Sequence, residues 1–137
     1  MEELELFHED RREHVESLID PALSRGEVVI LDRYYFSTMA YQGARGFDPV
    51  EIRRENEAFA PVPDLLILLE LPVKVAIERI GGRGGTIDTF EKEERLQACS
   101  AIFDKLDDSF IYRIKATQSL VDIHEEVLRI VLASFSF

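Results

Sequence analysis

Asp32 and Arg33 follow the apolar run Glu27-Val28-Val29-Ile30-Leu31, at the point where a strand would end. A carboxylate there can hold a Mg²⁺-bound water, and the guanidinium fork beside it can clamp a phosphate. The same dipeptide can equally be an internal ion pair that ties a loop down, and two residues alone do not choose between these readings. Phe7 and Arg11 stand one helical turn apart on one face of an expected helix. A Phe at such a position is commonly a core residue. Arg11 on the same face fits a core poorly, because an unpaired buried charge is costly. Gly81-Gly82-Arg83-Gly84-Gly85 is a flexible loop carrying a single cation, a pattern shared by functional loops and plain linkers alike. His8, His14 and His124 are scattered over helices and read as structural. Cys99 is the only cysteine, which excludes an intrachain disulfide and a cysteine-clustered metal site. It reads as a small core residue of a helix.

Positioning these residues requires alternating elements. Leu4, Phe7, Val15, Leu18 and Ile19 predict a helix from Glu3 to about Leu23, kinked or restarted by Pro21 and ended by Arg25-Gly26. Glu27–Leu31 predicts a strand buried on both faces, as in a parallel sheet. A helix over Phe36–Gln42 follows, interrupted by Gly43 and Gly46, and Asp48 caps another with Pro49 at its first position, running to about Phe59. Asp64–Leu71 predicts a second buried strand, and Pro72 opens a helix through Ile80. A longer helix spans roughly Thr89–Leu106, Phe110–Ile114 make a third strand, and Ser119 caps a last helix to about Ala133. Strands alternating with helices predict an α/β fold with a three-layer parallel sheet. Its ligands should lie beyond the carboxyl ends of the strands, at Asp32-Arg33-Tyr34, Leu71-Pro72 and Ala116-Thr117.

A chain of 137 residues suffices for one domain, expected over 1–137. The longest apolar run, Leu65–Leu69, has a strand's length and not a membrane span's, and no signal peptide opens the chain. A cytoplasmic protein with no membrane partner is expected. The net charge of −11 argues against a nucleic-acid polymer as partner, since a phosphate backbone calls for a cationic field. A small phosphorylated ligand needs only a few well-placed arginines, and Arg supplies 12 of the 16 basic residues.

The longer string Asp32-Arg33-Tyr34, Ser37, Ala40-Tyr41-Gln42-Gly43 resembles the signature of thymidylate kinases. Upstream, Leu6-Phe7, Asp10-Arg11 and His14-Val15 resemble that family's preceding helix. Downstream, Arg25–Val29, Pro63-Asp64-Leu65, Leu71-Pro72, Asp88 and Phe90-Glu91 follow in the family's order. The resemblance runs from Glu3 to the last helix, and implies a P-loop, nucleoside monophosphate kinase type of fold that converts dTMP to dTDP with ATP and Mg²⁺. It implies that Phe7 stacks on the thymine ring, Arg11 meets its carbonyl edge, and Ser37, Tyr41 and Gln42 line the nucleoside pocket, Gln42 reading the base. It implies that Arg33 clamps the monophosphate and that Asp32 sits near Mg²⁺, bound through water. The Gly81–Gly85 loop occupies the place of the family's lid, from which Arg83 would close over ATP and stabilise the transferring phosphoryl group. Ala116 and Thr117 match the loop beside the adenine ring. A homodimer is the implied assembly.

Two departures stand out. Phosphoryl transfer from ATP calls for Gly-x-x-x-x-Gly-Lys-Ser/Thr, and none of the four lysines, at 74, 92, 105 and 115, follows a glycine. The family's first strands and phosphate loop would precede this region. Three explanations stay open: a fragment or late-started reading frame, a separate chain that supplies the phosphate loop, or a relative that binds nucleotide without catalysis. The isolated chain is therefore expected to be inactive, with a regulatory nucleotide binder or a kinase for another nucleotide as alternatives. In the lid helix, Thr89 stands where the family has an arginine, Ala98 and Ser100 stand where arginines are expected, and Glu70 replaces a usual Asp.

Overall fold

The computed structural model of the protein describes residues 2–81 and 89–135. They form two compact units, one built from residues 1–62 and 98–104 and the other from 63–97 and 105–137.

The first unit is helical. Helix α1 (Glu2–His14) passes into a π-helical turn, Val15–Ile19, and resumes as α2 (Asp20–Ser24). Pro21 explains the switch: it cannot donate to the carbonyl four residues back, and the wider turn, in which the Asp20 N–H reaches the Val15 carbonyl, absorbs the mismatch. Gly26 then ends the helix at φ +74°, with the Glu27 N–H closing on the Ala22 carbonyl at 3.1 Å and the Gly26 N–H on Leu23 at 2.9 Å. Helix α3 (Tyr35–Gly43) ends in the same way, with Gly46 at φ +98° and the Phe47 N–H bonding the Gln42 carbonyl at 3.2 Å. Asp48 caps α4 (Pro49–Glu57) as expected, its Oδ1 accepting from the Val50 N–H at 2.8 Å. The core gathers Val15, Ile19, Tyr35, Phe36, Met39, Ala40, Ile52 and Cys99. The rings of Tyr35 and Phe36 stack at 4.3 Å, and the Cys99 thiol, raised in pKa by burial, donates to the Ala40 carbonyl at 3.5 Å.

Residues 27–31 carry no strand ladder, which corrects the first of the three expected strands. A strand exists only through a hydrogen-bonded neighbour, and none of the described residues pairs with this run. Ile30 is instead 90% exposed.

The second unit holds a parallel pair, β1 (Leu66–Glu70) and β2 (Ile111–Lys115), in the register Leu66↔Ile111 to Glu70↔Lys115. The parallel sense matches the sequence expectation, and among the described residues two strands are present where three were expected. Burial on both faces is not found, since Leu69 is 53% exposed. Helix α5 (Val73–Gly81) follows β1, and α7 (Leu120–Ser134) follows β2, capped by Ser119 Oγ on the Asp122 N–H at 3.2 Å. Ile114, Ala116 and Ile130 form this unit's buried centre. Helix α6 (Thr89–Phe103) lies between the strands in sequence. Among the described residues, no helix is long and apolar enough to cross a membrane.

Candidate functional site

Helix α1 presents Phe7 and Arg11 one turn apart, and they have different fates. Phe7 is 43% exposed and so is not a core residue of its unit. Arg11 reaches α3 and α4: its Nη1 donates to Asn56 Oδ1 at 2.6 Å and its Nη2 to Thr38 Oγ1 at 3.2 Å. Its guanidinium lies 5.5 Å from the Tyr34 ring centroid. Burial lowers the Arg11 pKa from its usual value, with Tyr34 and Asp10 opposing. Burial raises that of Tyr34, against the pull of Arg11. The poor fit of Arg11 to a core is thereby resolved, because two neutral acceptors, Asn56 Oδ1 and Thr38 Oγ1, hold the charge. Two of the five guanidinium donors are spent on Asn56 and Thr38.

The turn before α3 places Asp32 and Arg33 at the surface. Arg33 has φ +78°, the one non-glycine residue in the left-handed region among those described. A side chain is strained there, and such positions gather at functional sites. Its guanidinium sits 5.7 Å from the centroid of the Tyr41 ring, which is itself 46% exposed. Among the described residues Asp32 and Arg33 form no ion pair with each other, so the loop-tying alternative is not what this turn does. Ser37 is half-buried in the first turn of α3, where its N–H bonds the Tyr34 carbonyl at 3.0 Å. Gln42 is buried, and its Oε1 accepts from Arg45 Nη1 at 3.3 Å, while Arg45 also pairs with Glu3.

In the second unit, Ala116 is buried in the turn after β2, and its carbonyl accepts from Arg79 Nη2 at 3.1 Å. Thr117 beside it is exposed. Leu71 and Ala116 share the carboxyl edge of the sheet, tied by the Ala116 N–H on the Glu70 carbonyl at 2.8 Å. Arg83 lies outside the described residues. Among those described, no group of three or more His, Cys, Asp or Glu side chains could hold a metal ion.

Sequence reasoning missed Thr38 and Asn56 as partners of Arg11, and His8, whose Nε2 lies 3.1 Å from Asn56 Nδ2. Asn56 offered a faint signal, a lone amide one turn after Ile52 on the buried side of a strongly charged helix. Thr38 follows Tyr34 by one turn, and nothing distinguishes it from the small residues around it.

Together, these features describe an α/β chain that gathers arginines and aromatic rings around a strained turn. A comparison with known families makes this specific. The thymidylate kinase family model matches residues 1–127, and the chain belongs to the thymidylate kinase family. It is 57% identical over 115 residues to a thymidylate kinase of Akkermansia muciniphila, covering 84% of this chain and 55% of that one. It is 50% identical over 128 residues to one from Desulfotalea psychrophila, covering 93% and 63%. With one from Xanthomonas euvesicatoria it shares 51% identity over 106 residues, covering 77% and 46%. The chain thus spans about half to two-thirds of the length of these relatives.

Proposed function

We propose that this chain carries the nucleoside monophosphate side of a thymidylate kinase, a cytoplasmic enzyme that phosphorylates dTMP to dTDP with ATP. The observation that carries this reading is Arg11: a guanidinium fixed by Asn56 and Thr38, with donors unspent, one turn from the exposed ring of Phe7. A flat ring recognises a base by stacking, and the free donors suit the two carbonyl acceptors of thymine. Arg33, aimed over Tyr41 by its strained backbone, takes the monophosphate. Ser37 and Tyr41 bound the sugar, and Gln42 serves the same side by anchoring Arg45.

In the reaction a dTMP phosphate oxygen attacks the γ-phosphorus of ATP. The new P–O bond forms as the bond to the β–γ bridging oxygen breaks, and ADP leaves with that electron pair. Arg33 holds the acceptor phosphate in line and offsets its charge, with Arg83 serving the transferring group. Ala116 and Thr117 take the adenine side. The donor set suits Mg²⁺ held mainly by phosphates and water, because Asp32 is a single exposed carboxylate, which would hold the ion through a bound water. When bound, Mg²⁺ neutralises phosphate charge.

Calorimetric titration of the chain with dTMP and with thymidine tests the reading. Arg33→Ala should weaken dTMP by about ten- to a hundredfold and leave thymidine nearly unchanged, whereas Arg11→Ala should weaken both. Equal losses for dTMP and thymidine in Arg33→Ala would remove Arg33 from the phosphate, and unchanged affinity for both ligands in Arg11→Ala would remove Arg11 from the base.

A further inference from the structure

The amide of Asn56 is fully buried, and its orientation is settled by its neighbours. A guanidinium only donates, so the atom 2.6 Å from Arg11 Nη1 must be Oδ1. A carbonyl only accepts, so the atom 2.7 Å from the Ile52 carbonyl must be Nδ2. The remaining proton of Nδ2 points at His8 Nε2, 3.1 Å away. Nε2 must therefore offer a lone pair, which puts the neutral ring's proton on Nδ1, facing Glu55 Oε2 at 3.7 Å. The other groups around the ring are the edge of Phe59, at 6.4 Å between centroids, and Arg11 and Arg12 from its own helix. Protonation of Nε2 would set donor against donor. Flipping the amide gives no relief, because it would turn Nδ2 toward Arg11 and Oδ1 toward the Ile52 carbonyl.

We propose that His8 is a positioning residue for base recognition: neutral, it locks Asn56 so that Oδ1 aims Arg11, and protonated, it breaks that lock and releases the guanidinium. This rests on the assignment of Arg11 to the thymine edge. Burial and the two arginines lower the His8 pKa, against the pull of Glu55, in keeping with a ring kept neutral near pH 7. Acidification should then weaken the ligand through a residue that never touches it.

The experiment compares Kd for dTMP in the unmodified chain and in His8→Gln from about pH 7.5 to about pH 5.5. Gln carries a carbonyl that can accept from Asn56 at every pH in that range, so the variant's Kd should follow only the ligand's own phosphate titration. The unmodified chain should lose more affinity over the same interval, by a factor below about ten because the His8 pKa lies under its usual value. A ratio of the two Kd values that stays constant with pH would overturn the proposal. Arg11→Ala, run alongside with dTMP and dUMP, separates the two levels: unchanged affinity and base preference there would mean that the assignment of Arg11 had failed, whatever His8 does. A ligand-free measurement stands independently. The ring ¹⁵N shifts of His8 should show the Nδ1–H tautomer, and the Asn56 side-chain amide signals should move along the His8 titration curve. Asn56 signals indifferent to that titration would overturn the lock.

Discussion

A φ of +78° at Arg33 sets stability against function within a single residue. In the left-handed region every Cβ crowds the backbone, at about 1–2 kcal/mol, and glycine escapes that strain at some cost in unfolded-state entropy. Arg33→Gly should therefore stabilise the chain by about 0.5–1 kcal/mol in urea denaturation while losing dTMP affinity, whereas Arg33→Ala should lose affinity with no gain. If both variants have the same urea midpoint, the strain is not there. His8 makes a second prediction, about acid. Its folded pKa lies below the ordinary 6.5, so its contribution to stability is whole above that value and is lost as pH falls through the folded pKa. His8→Gln should flatten the decline in urea midpoint that begins below about 6.5. At this scale the sequence was half legible. Arg11 could be singled out because a charge on an apolar face needs an explanation. Its partners could not, since Thr38 and Asn56 lie 27 and 45 positions away and only the folded chain brings them together. His8, read as structural, joins the same network through an amide 48 positions distant.

Elements whose ends are governed by local chemistry came out of the sequence almost intact. Asp48-Pro49 and Ser119 open helices where they should, and Gly26 and Gly46 close them, because caps depend on neighbours within a turn. The π-helical turn at Val15–Ile19 was legible only as a disturbance near Pro21, since the proline forces a break without dictating its form. Asp48→Ala should cost about 1 kcal/mol by leaving the first N–H groups of α4 without their acceptor. Gly43 is a matter of space and not of φ. A Cβ there would meet Ile102 Cδ1 at 2.6 Å and Pro49 Cγ at 2.8 Å. The isoleucine tip can rotate away, but the proline ring is fixed to the start of α4. Gly43→Ala should thus destabilise by about 1–3 kcal/mol, and a urea midpoint within error of the parent would show that α4 yields more easily than its capped start suggests.

For the whole molecule, the family was written in ordered short motifs that the comparisons bear out, and the sheet was only partly written. The run at 27–31 has the composition of a buried parallel strand, yet Ile30 and Val28 are 90% and 56% exposed. Composition reports what a segment can bury, and a ladder needs a second strand beside it. The same distinction bears on catalysis. The helical unit supplies Arg11 and Arg33, the two residues proposed above for the acceptor nucleotide. Holding a triphosphate requires backbone N–H groups and a lysine converging on its phosphates, and no Gly-x-x-x-x-Gly-Lys-Ser/Thr occurs in these 137 residues. Arg83 cannot replace that cradle, because a single cation offsets charge without fixing the γ-phosphorus in line with its acceptor. Binding of dTMP and turnover of ATP should consequently separate: the chain should take dTMP in an Arg33-dependent way and release no ADP. Coupled detection of ADP with dTMP and Mg-ATP measures the second half. Turnover above an enzyme-free blank, abolished by Arg33→Ala, would mean that these residues assemble a phosphate cradle by a route other than the glycine-lysine loop.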